Sequence, residues 1–410
     1  MLRRTFFALA AALAISPAAT PAFAQTLDVS DWEAVKAQAR GQTVYFNAWG
    51  GAENINRYID WAAGRVAAEH GVTLKHVKLD DTANAVSTVL AEKAAGRDAG
   101  GAIDLIWING ENFAAMKREG LLLAPDWAEK LPNWRFVDFE NQPTIRTDFT
   151  VPVEGLESPW GGAKLVFFHD TASSKAEDLP RSFRDLVAWT KRNPGRFSHP
   201  APPDFIGTSF LKQALSETVA DPAVLLEPTD EAAFKEASAP LFAALDEMVP
   251  NLWRSGRAFP RNYPAMTQLL ADGEVDIAFA FNPADASAAI ADGRLPDTVR
   301  SFTFTGGTLG NTHFVAIPYN ASAKAGALVV ANFLLSPEAQ ARKQDPQVWG
   351  DPTVLAMGKL DQADRERFEA LELGVATLPP EELGPVLPEP HPTWTTILER
   401  EWLRRYGAGN

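Results

Sequence analysis

"TVYFNAWGGAENINRYIDWA", Thr43 to Ala62, is a strand that runs into a helix through two glycines. Thr43 to Phe46 are β-formers. Ile55, Tyr58, Ile59, Ala62 and Val66 then recur at helical spacing. Between the two stand Asn47, Ala48, Trp49, Gly50 and Gly51, a large aromatic side chain and two bare backbones at a strand tip.

Working outward, the same alternation continues. "VTLKHVKLD", "AIDLIWING", "AKLVFFHD", "DIAFAFN" and "THFVAIPYN" read as strands. "TANAVSTVLAEKAAG" reads as a helix with Val86, Val89 and Leu90 on one face, and "NFAAMKREGLL" as a shorter one. "SFRDLVAWTKRNPG" is opened by Ser182 and closed by Pro194-Gly195. After "AGALVVANFLL", Ser336 is placed to cap a new helix with Pro337 at its first position. "TWTTILEREWLRRYG" carries a stripe of Trp394, Ile397, Leu398 and Trp402. Ala376 to Pro392 is proline-rich and reads as an extended connector. Strands alternating with helices predict an α/β protein, and the length predicts two lobes.

The amino end, "MLRRTFFALAAALAISPAATPAFAQ", has Arg3-Arg4, an apolar run and Ala22-Phe23-Ala24. That pattern predicts a signal peptide over residues 1–24, exported by the Sec or the twin-arginine route. Its apolar run falls short of the roughly 20 residues of a membrane span. The expected destination is the periplasm, without direct membrane insertion. Cysteine is absent, which excludes disulfides, thiol nucleophiles and thiolate metal sites. The formal net charge is −14, and more negative once Arg3 and Arg4 are removed, which argues against nucleic acid as a partner. No nucleophile elbow, zinc-protease helix or phosphate loop occurs, and the 6 histidines show no metal-ligand spacing, so no cofactor and no metal are expected.

Several apolar strands instead end in small, amide or aromatic residues. Trp49-Gly50-Gly51 is one such tip, and Asn109-Gly110-Glu111-Asn112 another. Phe281-Asn282-Pro283 is a third. Trp160-Gly161 and Gly310-Asn311-Thr312 stand just before or within strands. In open α/β sheets, ligands lie beyond the carboxyl ends of the strands. Glycine opens backbone N–H groups to a ligand, and tryptophan supplies a wall. Each of these loops alone is equally an ordinary turn; together they predict a binding cleft.

On these motifs the chain resembles the periplasmic solute-binding proteins of ABC importers, in the group that holds the spermidine/putrescine, ferric-iron and thiamine binders. "ANFLLSPEAQARK" and "GEVDIAFAFNPADA" carry the group resemblance. "WGGAENIN", "DLIWINGENF", "SPWGGAKLVFFHD", "DFIGTSFLKQAL" and "GNTHFVAIPYNA" resemble a narrower subgroup, the YnjB-like proteins. The resemblance implies a two-lobed α/β fold of the periplasmic binding protein kind, type II-like, with the ligand between the lobes. It places the crossings near Trp160 to Val166 and Phe302 to Thr312. Lobe one is then residues 25–164 plus 310–410, and lobe two residues 165–309. It implies a monomer that delivers a small-molecule ligand to an ABC permease in the inner membrane, and not an enzyme. Iron binders of the group often use a neighbouring tyrosine pair, and none of the 5 tyrosines here is adjacent to another.

For the ligand, Trp49, Trp160, Tyr263, Phe281 and Trp349 offer stacking or cation–π faces, and Glu111, Asp204 and Asp285 offer negative charge. Gly207, Thr208 and Ser209 open a helix, where free N–H groups suit an oxygen or phosphate. A thiamine-like molecule, an amine or a zwitterion is expected. The alternatives are an exported hydrolase using Glu111 and Asp204, or a ligand-sensing receptor of the same fold.

Overall fold

The structure, a computed structural model, describes residues 28–123, 126–379 and 382–407. The signal peptide read at residues 1–24 lies outside the described residues. In β1 (Thr43–Trp49), Val44, Phe46 and Ala48 are buried while Tyr45 faces solvent, the period-two pattern of a strand. β1 pairs in parallel with β2 (Thr73–Leu79), from Thr43 against Thr73 to Trp49 against Leu79. On its other side it pairs with β3 (Leu105–Ile108). The three parallel strands therefore deliver their following loops to one edge of the sheet.

α1 (Trp32–Ala39), α2 (Glu53–His70), α3 (Ala83–Ala94) and α4 (Glu111–Arg118) cover this part of the chain. α2 buries the expected stripe of Ile55, Tyr58, Ile59, Ala62 and Val66. α3 departs from expectation, because Leu90 is 44% exposed and Ala85 shares the inner face with Val89. Residues four apart align on a helix, whereas Leu90 is about 100° further round from Val89.

A short hairpin, β4 (Thr147–Asp148) and β5 (Val151–Pro152), leads to β6 (Glu157–Lys164) and β7 (Val166–Asp170). β8 (Ile277–Ala280) and β9 (Val299–Phe302) flank β7 in a three-stranded antiparallel sheet. β10 (Thr308–Ala316) returns to the first sheet, antiparallel to both β3 and β6. β11 (Val386–Leu387) joins β10 in parallel, completing six strands. The sequence thus forms two lobes. β6 runs into β7 of the three-stranded sheet, and β9 of that sheet runs into β10 of the first. The proline-rich connector adds β11 as a third piece at the junction.

The second lobe carries α5 (Phe183–Arg192), α6 (Phe205–Thr218), α7 (Glu231–Ala237), α8 (Ala239–Met248), α9 (Tyr263–Ala271) and α10 (Asp285–Ala291). α11 (Lys324–Leu334), α12 (Pro337–Gln344) and α13 (Gln362–Glu369) return to the first lobe, and α14 (Pro392–Tyr406) ends the chain's helices. Two of the expected caps are made. Ser182 accepts from the Asp185 N–H at 3.1 Å, and Ser336 from the Ala339 N–H at 3.2 Å.

Each lobe has its own core. Phe46, Tyr58, Trp160 and Val330 belong to one, and Phe167, Phe210, Leu245 and Phe279 to the other. α14 corrects the expected division. The resemblance implies residues 310–410 wholly in lobe one, yet Trp394, Ile397, Leu398 and Trp402 are buried in the second core. α14 packs on α6 and α7 and also touches α4 of the first lobe. An apolar stripe buries against whichever face accepts it, and chain order does not choose that face.

Candidate functional site

The loops after β2 and β3 face the amino end of α6 across the gap between the lobes, Asp81 towards Asp204 and Glu111 towards Lys212. Arg57 of α2 reaches Asp292 beyond α10 at 3.3 Å, and Asn282 donates to the Trp349 carbonyl at 3.4 Å. Within this junction the anticipated residues fall into two groups, with Trp49 apart from both.

The half-buried Trp49 folds its indole back over Gly51, where a Cβ would lie 2.3 Å from the ring. Gly51 is glycine because the indole occupies the place of its side chain. Gly50 is not an open donor either: its N–H donates to the Leu79 carbonyl at 3.0 Å, and its carbonyl accepts from Asn56 at 3.1 Å. The expectation of a free backbone donor is therefore corrected for Gly50.

The first group is acidic. Glu111 opens α4, just after Gly110, whose N–H donates to both Asp148 oxygens at 2.8 Å. Burial pushes the Glu111 carboxyl up to about 7, with Lys212 opposing and Glu399 and Glu389 adding to the rise. Asp204 caps α6, accepting from the Ile206 and Gly207 N–H groups at 3.0 and 3.1 Å. Burial pushes Asp204 up to about 6; the two N–H groups oppose the shift and Asp81 adds to it. Thr208 donates to the Glu399 carboxylate at 2.7 Å, and Ser209 to the Phe205 carbonyl at 2.8 Å. Burial likewise raises Glu399. Phe205 meets Phe281 edge to face at 5.4 Å. Asn311 donates to Glu389 at 2.9 Å, and Thr312 shares a hydroxyl contact with Thr144 at 2.9 Å.

One expectation fails here. The sequence predicts Gly207, Thr208 and Ser209 as donors for an oxyanion. The N–H groups at this helix end are taken by Asp204 itself, and all three residues are buried within α6.

The second group is aromatic. Trp160 is fully buried and packs with Phe46, Tyr58, Trp107, His313 and Trp349 at ring separations of 4.9 to 6.4 Å. It is a core residue of the first lobe and not the exposed wall expected. Lys343 lies inside this aromatic group, bonded to the Trp160 carbonyl and to Asp351. His313 Nε2 lies 3.1 Å from the same Asp351 oxygen. Burial alone would raise Asp351; His313 and Lys343 outweigh it and hold the carboxyl below its ordinary value. A Cβ on Gly161 would collide with all three of these side chains. Across the junction, burial raises Asp285 to about 8 against the pull of Arg294, and Tyr263 beside it is also raised by burial. Gly310 lies in β10 opposite Lys164, and Asn109 and Asn112 are half-buried at the tip of β3 and in α4.

Sequence reasoning missed Lys212, Glu389, Glu399, Lys343 and Asp351. Lys212 carried a signal, a lysine inside the apolar run "FLKQAL". His313 was read as one of a scatter of histidines, and the fold gives it a partner. A hollow of about 270 Å³, lined among others by His169, Arg181 and Phe302, shares no residue with either group.

A family model described as bacterial extracellular solute-binding protein matches residues 61–355. The chain belongs to that family. It is 48% identical over 386 residues to "Protein YnjB" of Escherichia coli (strain K12), covering 94% of this chain and 96% of that one. Among solved structures it is similar to the spermidine/putrescine ABC transporter substrate-binding protein PotD of Streptococcus pneumoniae. That match has a TM-score of 0.60 at 16% identity and covers 90% of this chain and 99% of the other. It is similar too to the periplasmic binding protein AfuA of Actinobacillus pleuropneumoniae, solved with fructose-6-phosphate bound. There the TM-score is 0.61 at 14% identity, with 90% and 99% covered. At such identities the likeness concerns the fold, and the two solutes named are chemically unlike. The specificity of this solute-binding protein therefore has to be argued from its own side chains.

Proposed function

We propose that this solute-binding protein captures a small organic cation between its lobes and delivers it to an ABC permease. The observation that carries the reading is the excess of carboxyls at the junction. Glu111, Asp204 and Glu399 are all raised by burial, with Asp81 and Glu389 beside them. Lys212 is a cation that faces Glu111 and Glu399. Carboxyls held near neutrality by burial regain their charge when a cation arrives. Phe205, Phe281 and Trp49 add apolar and π faces suited to an alkyl or aromatic ammonium. Amines and thiamine-like cations fit this chemistry. The oxyanion half of a zwitterion finds no free N–H groups at the amino end of α6, because Asp204 takes them. The hydrolase alternative is not favoured, since Asp204 is engaged in capping α6.

The lobe limits near Lys164 and Gly310, export by cleavage after Ala24, periplasmic residence and a monomeric state belong to the same proposal. Mass spectrometry of small molecules released from the purified, denatured protein identifies the solute. Calorimetry of the parent, Glu111→Gln and Asp204→Asn against polyamines, thiamine, zwitterions and neutral sugars then tests the charge assignment. Cations should bind the parent and lose at least about tenfold in each variant. Binding of an uncharged sugar alone, or unchanged cation affinity in both variants, rejects the reading.

A further inference from the structure

Lys212 projects from α6, whose neighbouring Phe210 and Leu211 lie in the second core. Its side chain is only 1% exposed. The ammonium lies 2.7 Å from Glu389 and 4.2 Å from the centre of the Phe149 ring, with Phe205 at 5.7 Å. Glu389 is itself 4% exposed and is held by Asn311 of β10. Phe149 is wedged against the turn between β3 and α4, close enough that a Cβ on Gly110 would lie 2.6 Å from its ring. Glu111, from that same turn, feels the Lys212 charge. The socket is thus built by the first lobe and the connector, and the cation is supplied by the second lobe.

A carboxylate, an amide-held geometry and an aromatic face around a desolvated ammonium are the parts of an ammonium-binding site. We propose that Lys212 is a tethered ligand of its own protein. It fills an alkylammonium subsite between the lobes and latches them together. The subsite is distinct from whatever solute the cleft carries, and the inference does not rest on the chemistry of that solute. It gives the junction a fixed internal cation, so that a bound organic cation is restricted to the carboxyls Lys212 does not satisfy.

Lys212→Ala removes the Cγ–Cδ–Cε–Nζ tail, which has the outline of n-propylammonium. Calorimetry of the full mature chain should show n-propylammonium binding to Lys212→Ala at least about tenfold more tightly than to the parent. It should also raise the variant's melting temperature, while 1-propanol does neither. A Lys212→Ala protein that n-propylammonium neither binds nor stabilises overturns the subsite. Because Lys212→Ala leaves Glu389 buried and unpaired, the double variant Lys212→Ala/Glu389→Gln supplies a second measurement that does not depend on its stability. That protein no longer buries the Glu389 charge, should bind n-propylammonium no more tightly than the parent, and should show a larger radius of gyration than the parent in solution scattering. A radius equal to the parent's overturns the latch.

Discussion

Trp49 and Trp160 look alike in the sequence, and their surroundings separate them. Trp49 is half-buried at a strand tip over Gly51, and Trp160 is enclosed by five aromatic neighbours. Trp49→Ala should lower solute affinity at least about tenfold while changing the denaturation midpoint little. Trp160→Ala should cost about 3–5 kcal/mol of stability in denaturant unfolding, because the cavity left is closed on all sides. The reverse pattern would exchange the two roles. Glu111 makes a pH prediction. Its carboxyl is raised to about 7, so below that pH it is mostly protonated and a cation must displace the proton. Cation affinity should therefore rise between about pH 6 and pH 8, and binding near neutrality should release protons. Calorimetry in buffers of different ionisation enthalpy measures the release, and Glu111→Gln should abolish its share. Stability runs the other way: a raised carboxyl favours the folded state most at low pH, and this contribution is lost as pH rises through about 7.

At the scale of an element, α6 binds the acidic group together. Its cap, Asp204, serves both as a helix partner and as part of the negative field, and two substitutions separate these roles. Asn caps about as well as Asp, so Asp204→Asn should leave stability within about 0.5 kcal/mol of the parent and weaken cation binding. Asp204→Ala should weaken binding too and also cost about 1 kcal/mol in chemical denaturation. If Asp204→Asn were as destabilising as Asp204→Ala, the hydrogen bonds to Ile206 and Gly207 would not be the cap described. α14 shows a different dependence. Its stripe was legible, since Trp394, Ile397, Leu398 and Trp402 lie on one helical face. Its destination was not, because the packing partners on α6 and α7 are remote in sequence.

At the scale of the molecule, β6, β10 and β11 form the junction between the two lobes. Crossing segments of this kind permit closure around a solute. Solution scattering should show a smaller radius of gyration with a solute shown independently to bind; an unchanged radius would count against a hinge. The Arg57–Asp292 bridge sits at the rim and is partly exposed, so it contributes little to holding the lobes. Lys212 and Glu389 are buried at the centre, where a lone charge left by removing one partner is costly.

The sequence by itself determined what depends on neighbours a few residues apart. The strand-to-helix alternation, the stripe on α2 and the caps Ser182 and Ser336 all follow from local periodicity and cap chemistry. The family resemblance carried the two-lobed arrangement. Only the tertiary structure decided which polar groups are buried and against what. Gly50, Gly110 and Gly207 look open in sequence, yet Leu79, Asp148 and Asp204 take their N–H groups. Lys212 meets Glu389, which Asn311 also holds, and Asp351 meets both His313 and Lys343, through folding that joins distant segments. Charge and hydrogen bonding act through space at a few ångströms, and burial sets their strength, so neither is written in the spacing of residues along the chain.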